Sequence, residues 1–180
     1  MVMPRTSTKS LATRLARVKL FLCDVDGVLT DCAVFMNGQG ETKRFDVQDG
    51  LGLRLLQRCG LRVGWISGRP SFATQQRAED LKVDFLRQGK ESKVKVVEAI
   101  LAETGLTWAE VCFVGDDLLD LGAMKRAGVA VAVPNGVEEA LALADYVTKA
   151  PGGHGAVREV VTMILNAQKK WDGLVKEFLE

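Results

Sequence analysis

Two groups of carboxylates in this chain are spaced to do chemistry together. Asp24-Val25-Asp26-Gly27-Val28-Leu29-Thr30 follows one apolar run, and Gly115-Asp116-Asp117-Leu118-Leu119-Asp120 follows another. Clustered acids are costly unless a cation neutralises them, and hard oxygen ligands suit Mg2+, whose remaining coordination places a phosphate oxygen can fill. A carboxylate can act as a covalent nucleophile. A second carboxyl two residues on can protonate a leaving alkoxide and later deprotonate water. Ser67-Gly68-Arg69 closes a third apolar run, and a hydroxyl with nearby backbone N–H groups can hold phosphate oxygens. Lys93 can balance phosphoryl charge. These parts suffice for metal-assisted phosphoryl transfer.

The composition narrows the chemistry from the other side. The chain has 180 residues, 24 Lys plus Arg, 23 Asp plus Glu and a net charge of +1. That balance gives no electrostatic footprint for nucleic acid or an anionic membrane. One histidine, His154, excludes a two-histidine metal motif, so carboxylates, lysines and backbone must carry the work. Cys23, Cys32, Cys59 and Cys112 contain no C-x-x-C pair, and they read as small buried hydrophobes in a reducing compartment. Residues 1–19 hold Arg5, Lys9, Arg14, Arg17 and Lys19 and no acid. An organelle transit peptide can look like this. The preferred reading is a polar tail and then a helix from about Ser10 to Arg17. No apolar run is long enough to span a membrane, so the sequence reads as soluble and cytoplasmic.

The elements that must position these residues alternate. Strands are expected at Val18–Cys23, Leu61–Ile66, Val83–Leu86, Val111–Val114, Val129–Val133 and Tyr146–Val147. Helices are expected around Leu51–Leu56 (capped by Asp49 and ended by Gly60), Ser71–Leu81, Val94–Ala102 (stopped by Gly105), Leu118–Arg126 and Val137–Leu143. A last helical stretch runs from Gly155 to Phe178 with a break near Asp172-Gly173. Continuous apolar strands between helices imply an α/β fold, a Rossmann-like doubly wound parallel sheet. One segment breaks the alternation: Ala33–Met36 and Glu41–Phe45 flank Asn37-Gly38-Gln39-Gly40, which signals a β-hairpin inserted after the first strand. Its apolar Val34, Phe35 and Phe45 make it a candidate oligomerisation device.

Asp24-x-Asp26-Gly-Val-x-Thr30, Ser67, Lys93 and Gly115-Asp116-Asp117-x-x-Asp120 resemble, in order, the four motifs of the haloacid dehalogenase superfamily of phosphohydrolases. The resemblance implies roles position by position. Asp24 would be the nucleophile and a Mg2+ ligand. Asp26 would be the general acid/base, with its carbonyl on the metal. Asp116 would be the third metal ligand, with Asp117 and Asp120 behind it or as alternative ligands. Ser67 and Gly68 would bind phosphate, and Lys93 would stabilise it. Further segments, Phe45-Asp-Val-Gln-Asp-Gly50, Gln88-Gly89, Ala144-Asp-Tyr-Val-Thr148 and Gly152-Gly-His-Gly-Ala-Val-Arg-Glu159, make residues 18–168 similar to the 3-deoxy-D-manno-octulosonate 8-phosphate phosphatases, a capless branch of that superfamily. That similarity implies no cap domain, a sugar-acid phosphate substrate in lipopolysaccharide precursor biosynthesis, and a homotetramer joined through the 31–46 hairpin. The alternation reads as one domain over 1–180, with 1–17 as an N-terminal tail and helix and 168–180 as a C-terminal helical tail.

Several residues keep two readings. Asp117 and Asp120 could cap the next helix. Ser67 could only start a turn, and Lys93 could be a solvated helix lysine beside Lys90 and Lys95. Arg69 could grip a substrate carboxylate in fork geometry or form a surface salt bridge. His154 sits where relatives carry Arg or Lys, and it could bind the sugar acid or be a turn residue. Two rival functions remain: a phosphatase for a nine-carbon sugar acid 9-phosphate, and a non-catalytic tetrameric partner domain. Intact Asp26 argues against the second.

Overall fold

The computed structural model describes residues 8–36, 38 and 40–180. Asn37 and Gln39, where the sequence places the hairpin's turn, and residues 1–7 lie outside the described residues.

Among the described residues, six short strands form one parallel sheet: β1 (Leu20–Cys23), β4 (Arg62–Ser67), β5 (Phe85–Gln88), β6 (Val111–Gly115), β7 (Val129–Ala132) and β8 (Tyr146–Val147). Their spatial order is β5-β4-β1-β6-β7-β8. The chain therefore builds outward from β1 in one direction and then, from β6, in the other. The order reverses between β1 and β6, where Cys23 lies beside Val114. Doubly wound sheets bind ligands at the carboxyl ends of strands at such a reversal, and both acidic motifs exit there.

Strand alternation splits the core into two layers. Phe21, Cys23, Trp65, Cys112 and Val114 face α1 (Thr8–Leu15), α2 (Val47–Arg58) and α7 (Ala156–Ala167). Leu20, Leu22, Ile66 and Phe113 face α4 (Lys93–Thr104), α5 (Leu121–Arg126) and α6 (Glu138–Leu143). Side chains on both faces are buried, which is why the strands read as continuous apolar runs. Helix α7 presents Ala156, Val157, Val160, Val161, Ile164 and Leu165, all buried, as one stripe at helical spacing. Each large apolar side chain so buried is worth about 1.5–3 kcal/mol.

Three helix boundaries differ from the sequence expectation. Helix α2 is capped by Asp46, not Asp49: the Asp46 carboxylate accepts the N–H groups of Gln48 and Asp49 at 2.7 and 3.1 Å. Asp49 instead reaches across and accepts the Arg158 N–H at 2.7 Å, capping the first turn of α7. The C-terminal stretch breaks at 168–170, not at Asp172-Gly173. Lys169 adopts φ +57°, its N–H reaches Asn166 O, and the Lys170 N–H reaches Leu165 O at 2.8 Å. This is a Schellman ending with lysine where glycine is usual, so the sequence carried no stop signal. Gly173 lies inside α8 (Trp171–Glu177). Finally, Leu118–Arg126 is a 3-10 turn over Leu118–Asp120 followed by α5.

The hairpin consists of β2 (Phe35–Met36) antiparallel to β3 (Glu41–Thr42). Its two ends behave differently. Phe35 and Met36 are 59% and 73% exposed. The returning segment packs on the body, where Phe45 stacks on Trp65 with ring centroids 6.2 Å apart. Helix α3 (Phe72–Asp80) lies beside β3, with Ser71 as its N-cap. All four cysteines are free, Cys23 and Cys112 buried and Cys32 exposed. No helix among the described residues is long and apolar enough to cross a membrane.

Candidate active site

The exit of β1 and the exit of β6 meet. Asp24 continues the β1 ladder, its N–H donating to Val114 O at 3.0 Å. Its Oδ1 accepts the Val25 N–H at 2.6 Å, which leaves Oδ2 for Lys93, 3.0 Å away. The same ammonium lies 2.6 Å from Asp120 Oδ1. The other oxygen of Asp120 accepts the N–H groups of Asp116 and Asp117 at 3.0 and 3.2 Å. Asp120 is fully buried with both oxygens engaged, so it aims Lys93 and shapes the loop after β6. Asp117 is exposed and accepts the Leu118 N–H at 2.6 Å, a cap for the 3-10 turn.

The loops approach so closely that only glycine fits. Gly27 has φ +98°, and a Cβ there would lie 1.9 Å from Asp116 Oδ2. A Cβ on Gly152 would lie 1.8 Å from Gly27 O. Asn135, in the turn after β7, fastens these pieces: its Nδ2 donates to Gly27 O at 2.9 Å and its Oδ1 accepts the Gly152 N–H at 2.7 Å. The glycine turn 152–155 thereby supports the Asp24–Thr30 loop.

Carboxylate oxygens of Asp24, Asp116 and Asp120 lie within 4.8 Å of one another. Asp116 Oδ1 is buried without a hydrogen-bond donor. Burial, with Asp24 and Asp120 adding to it, pushes the Asp116 carboxyl up to about 8. Burial also raises Asp24 to about 6, against the pull of Lys93. Burial disfavours the Lys93 charge, but the two aspartates outweigh it and hold its pKa above the usual lysine value. A divalent cation fits this donor set: it would satisfy the orphaned oxygen and supply the positive charge that offsets burial and the neighbouring carboxylates at Asp116.

Asp26 stands on the open side. Its Oδ1 is 2.6 Å from Lys43 Nζ and its Oδ2 is 3.9 Å from Arg69 Nε. The Ser67 hydroxyl donates to Arg69 O and accepts the Arg69 N–H, at 3.0 and 3.2 Å. Gly68 borders a cleft of ≈ 440 Å³ that runs along Lys90–Lys93 to Leu118 and Leu119. The Arg69 guanidinium is half-exposed and donates to Glu41 Oε2 at 2.6 Å. His154 is exposed, and both ring nitrogens lie within 2.9 Å of Arg44 Nη2, which also donates to Gly153 O at 3.0 Å.

Three neighbours of the site went unread in the sequence: Lys43, Arg44 and Asn135. Lys43 carried a usable signal. Alternation along Glu41–Phe45 puts Lys43 on the same face as Phe45, whose apolar ring marks that face as one to be covered. Asn135 carried none, because a Pro-Asn-Gly turn looks the same whether or not the asparagine bridges two loops.

Comparison with known proteins places these features in context. Residues 83–160 match the model of the haloacid dehalogenase-like hydrolase family. The chain is 40% identical over 161 residues to the 3-deoxy-D-manno-octulosonate 8-phosphate phosphatase of Yersinia pestis, covering 89% of this chain and 86% of that protein. It superposes with TM-score 0.93 and 39% identity on the Moraxella catarrhalis 3-deoxy-D-manno-octulosonate 8-phosphate phosphatase, solved with magnesium, phosphate and KDO, covering 96% of this chain and 99% of that one. The cobalt-bound Haemophilus influenzae phosphatase matches with TM-score 0.88 and 34% identity, over 93% and 99% of the two chains.

Proposed function

This chain belongs to the family of 3-deoxy-D-manno-octulosonate 8-phosphate phosphatases, among the haloacid dehalogenase-like hydrolases, and from that we propose that it hydrolyses 3-deoxy-D-manno-octulosonate 8-phosphate to the free sugar acid and phosphate, in lipopolysaccharide precursor biosynthesis. The observation that carries this reading is the convergence of Asp24, Asp116 and Lys93 at the sheet's point of reversal.

Asp24 Oδ attacks phosphorus while the bond to the sugar oxygen breaks, and Asp26 delivers a proton to that oxygen. Asp26 then takes a proton from water, which attacks the aspartyl-phosphate and frees Asp24. Asp24, Asp116 and the Asp26 carbonyl would hold Mg2+, which when bound neutralises charge on the phosphoryl oxygens and lets the carboxylates sit together. Lys93, fixed by Asp120, supplies positive charge to the phosphoryl group, and Ser67 with Gly68 positions its oxygens. Arg69 and His154 face the sugar-acid end. Arg69 keeps an exposed face for a carboxylate although Glu41 already holds one of its N–H groups.

Phosphate release across a panel of sugar and sugar-acid phosphates tests the reading. The eight-carbon 8-phosphate should give the highest kcat/KM with Mg2+, and EDTA should abolish turnover. Inactivity toward every sugar-acid phosphate would overturn the assignment as an enzyme. Preference for a nine-carbon acid 9-phosphate would move the substrate.

The same reading includes a homotetramer built on the 31–46 hairpin and a cytoplasmic site of action. Half-exposed Val34 with exposed Phe35 and Met36 supports the first, since such side chains are more stable covered. Four free cysteines suit a reducing compartment. Light scattering should return four times the 19.6 kDa chain mass, and Phe35→Ser with Met36→Ser should dissociate it. A monomeric wild-type chain would remove the tetramer.

A further inference from the structure

We propose that Lys43 is a positioning residue for Asp26, carried to the site by the returning strand of the hairpin. The inference rests on the acid/base role given to Asp26 above. The Lys43 side chain is 0% exposed, a placement lysine tolerates only when its charge is matched. Its ammonium lies 2.6 Å from Asp26 Oδ1, 3.3 Å from Thr74 Oγ1 and 3.8 Å from Glu41 Oε1.

These contacts close a ring. Lys43 meets Asp26, Asp26 Oδ2 faces Arg69 Nε at 3.9 Å, Arg69 Nη1 holds Glu41 Oε2 at 2.6 Å, and Glu41 returns to Lys43. Charges alternate around the ring: Lys43–Asp26 and Arg69–Glu41 are close ion pairs at 2.6 Å, and Arg69–Asp26 and Lys43–Glu41, at 3.9 and 3.8 Å, are longer electrostatic contacts. Asp26 leaves β1 on a loop whose next residue is a glycine in the left-handed region, and the buried Lys43 ammonium, 2.6 Å from Oδ1, holds its carboxyl from the hairpin side. Thr74, fully buried on α3, fixes the lysine in turn. The hairpin that bears exposed Phe35 and Met36 therefore also sets the orientation of the proton-transferring group in its own protomer. A misplacement of about 1 Å at a reacting group can cost on the order of a hundredfold.

Leaving-group dependence tests this. Expulsion of a sugar alkoxide needs a well-aimed proton, whereas p-nitrophenolate leaves without one, and kcat/KM reports the steps up to formation of the aspartyl-phosphate. Lys43→Met should lower kcat/KM for the sugar-acid 8-phosphate roughly tenfold or more beyond its loss on p-nitrophenyl phosphate. Asp26→Asn, run alongside, should show the same bias more strongly. Equal losses on both substrates for Lys43→Met, with the bias intact in Asp26→Asn, would reduce Lys43 to a packing role. Absence of bias in Asp26→Asn would instead sink the acid/base reading of Asp26. If Lys43→Met does not fold, Thr74→Val, which removes one of the lysine's partners, decides: a smaller bias of the same sign supports the positioning role, and equal losses overturn it.

Discussion

Asp24→Asn should lower phosphate release by at least about four orders of magnitude, the scale on which loss of a covalent nucleophile acts, while the protein stays folded. Four decades correspond to about 5.5 kcal/mol of barrier. The amide occupies the same volume but cannot form the acyl-phosphate. The fold has reasons to accept it. The retained amide oxygen can still accept the Val25 N–H that Asp24 Oδ1 takes at 2.6 Å. Lys93 keeps its 2.6 Å partner Asp120. Burial already holds the Asp24 pKa at about 6, so its negative charge is a cost to the folded chain, and neutralising it should leave Tm unchanged or higher. Phosphate release measured beside a thermal melt separates the two effects. Activity above about 1% of wild type in a chain with normal Tm would mean that another group attacks phosphorus.

The parts of the site that were readable in the sequence are those fixed by strand exits. Asp24 and Asp116 follow apolar runs that end at adjacent strands, so period and topology together place them. Lys93 was set apart from Lys90 and Lys95 only by the resemblance to the family's motifs, and it stands as the first residue of α4. What escaped was set by contacts between segments distant in sequence. Asp49 looks like a helix cap in its own segment, yet it caps α7, 109 residues away. Lys43 is defined by Asp26 and Thr74, and Asn135 by Gly27 and Gly152. The end of α7 escaped for a local reason: Lys169 bears the left-handed conformation without the glycine that normally announces it. The parallel sheet was legible because both of its faces are buried, and helix ends were less so because a cap needs only one or two hydrogen bonds.

Metal-free protein should lose stability as pH rises from about 5 to about 8, and Mg2+ should restore it. Asp24 and Asp49 are raised from 3.8 to about 6 and Asp116 to about 8, each mainly by burial. Because these folded-state values exceed the unfolded ones, the folded chain binds more protons than the unfolded chain in this range. The stabilisation is complete below about pH 4 and is lost as pH climbs through 6 and then 8. Groups shifted the other way act elsewhere: Glu110, lowered from 4.5 to about 2 mainly by its hydrogen bond with Lys19, gives up its contribution as pH falls from about 4.5 through 2. A tenfold change in proton affinity is worth about 1.4 kcal/mol. Asp24 and Asp116 share one site and titrate as a pair, so the loss should be a few kcal/mol, or roughly 5–10 °C in Tm. A cation needs the deprotonated carboxylates, so its binding displaces these protons and its stabilisation should be larger at pH 8 than at pH 6. Melting curves in EDTA and in saturating Mg2+ across this range provide the check. A metal-free Tm that climbs from pH 5 to 8 would contradict the electrostatics of the site. Asp116→Asn should flatten the pH slope and remove the Mg2+ increment together, because the same buried carboxyl accounts for most of the first and is needed for the second.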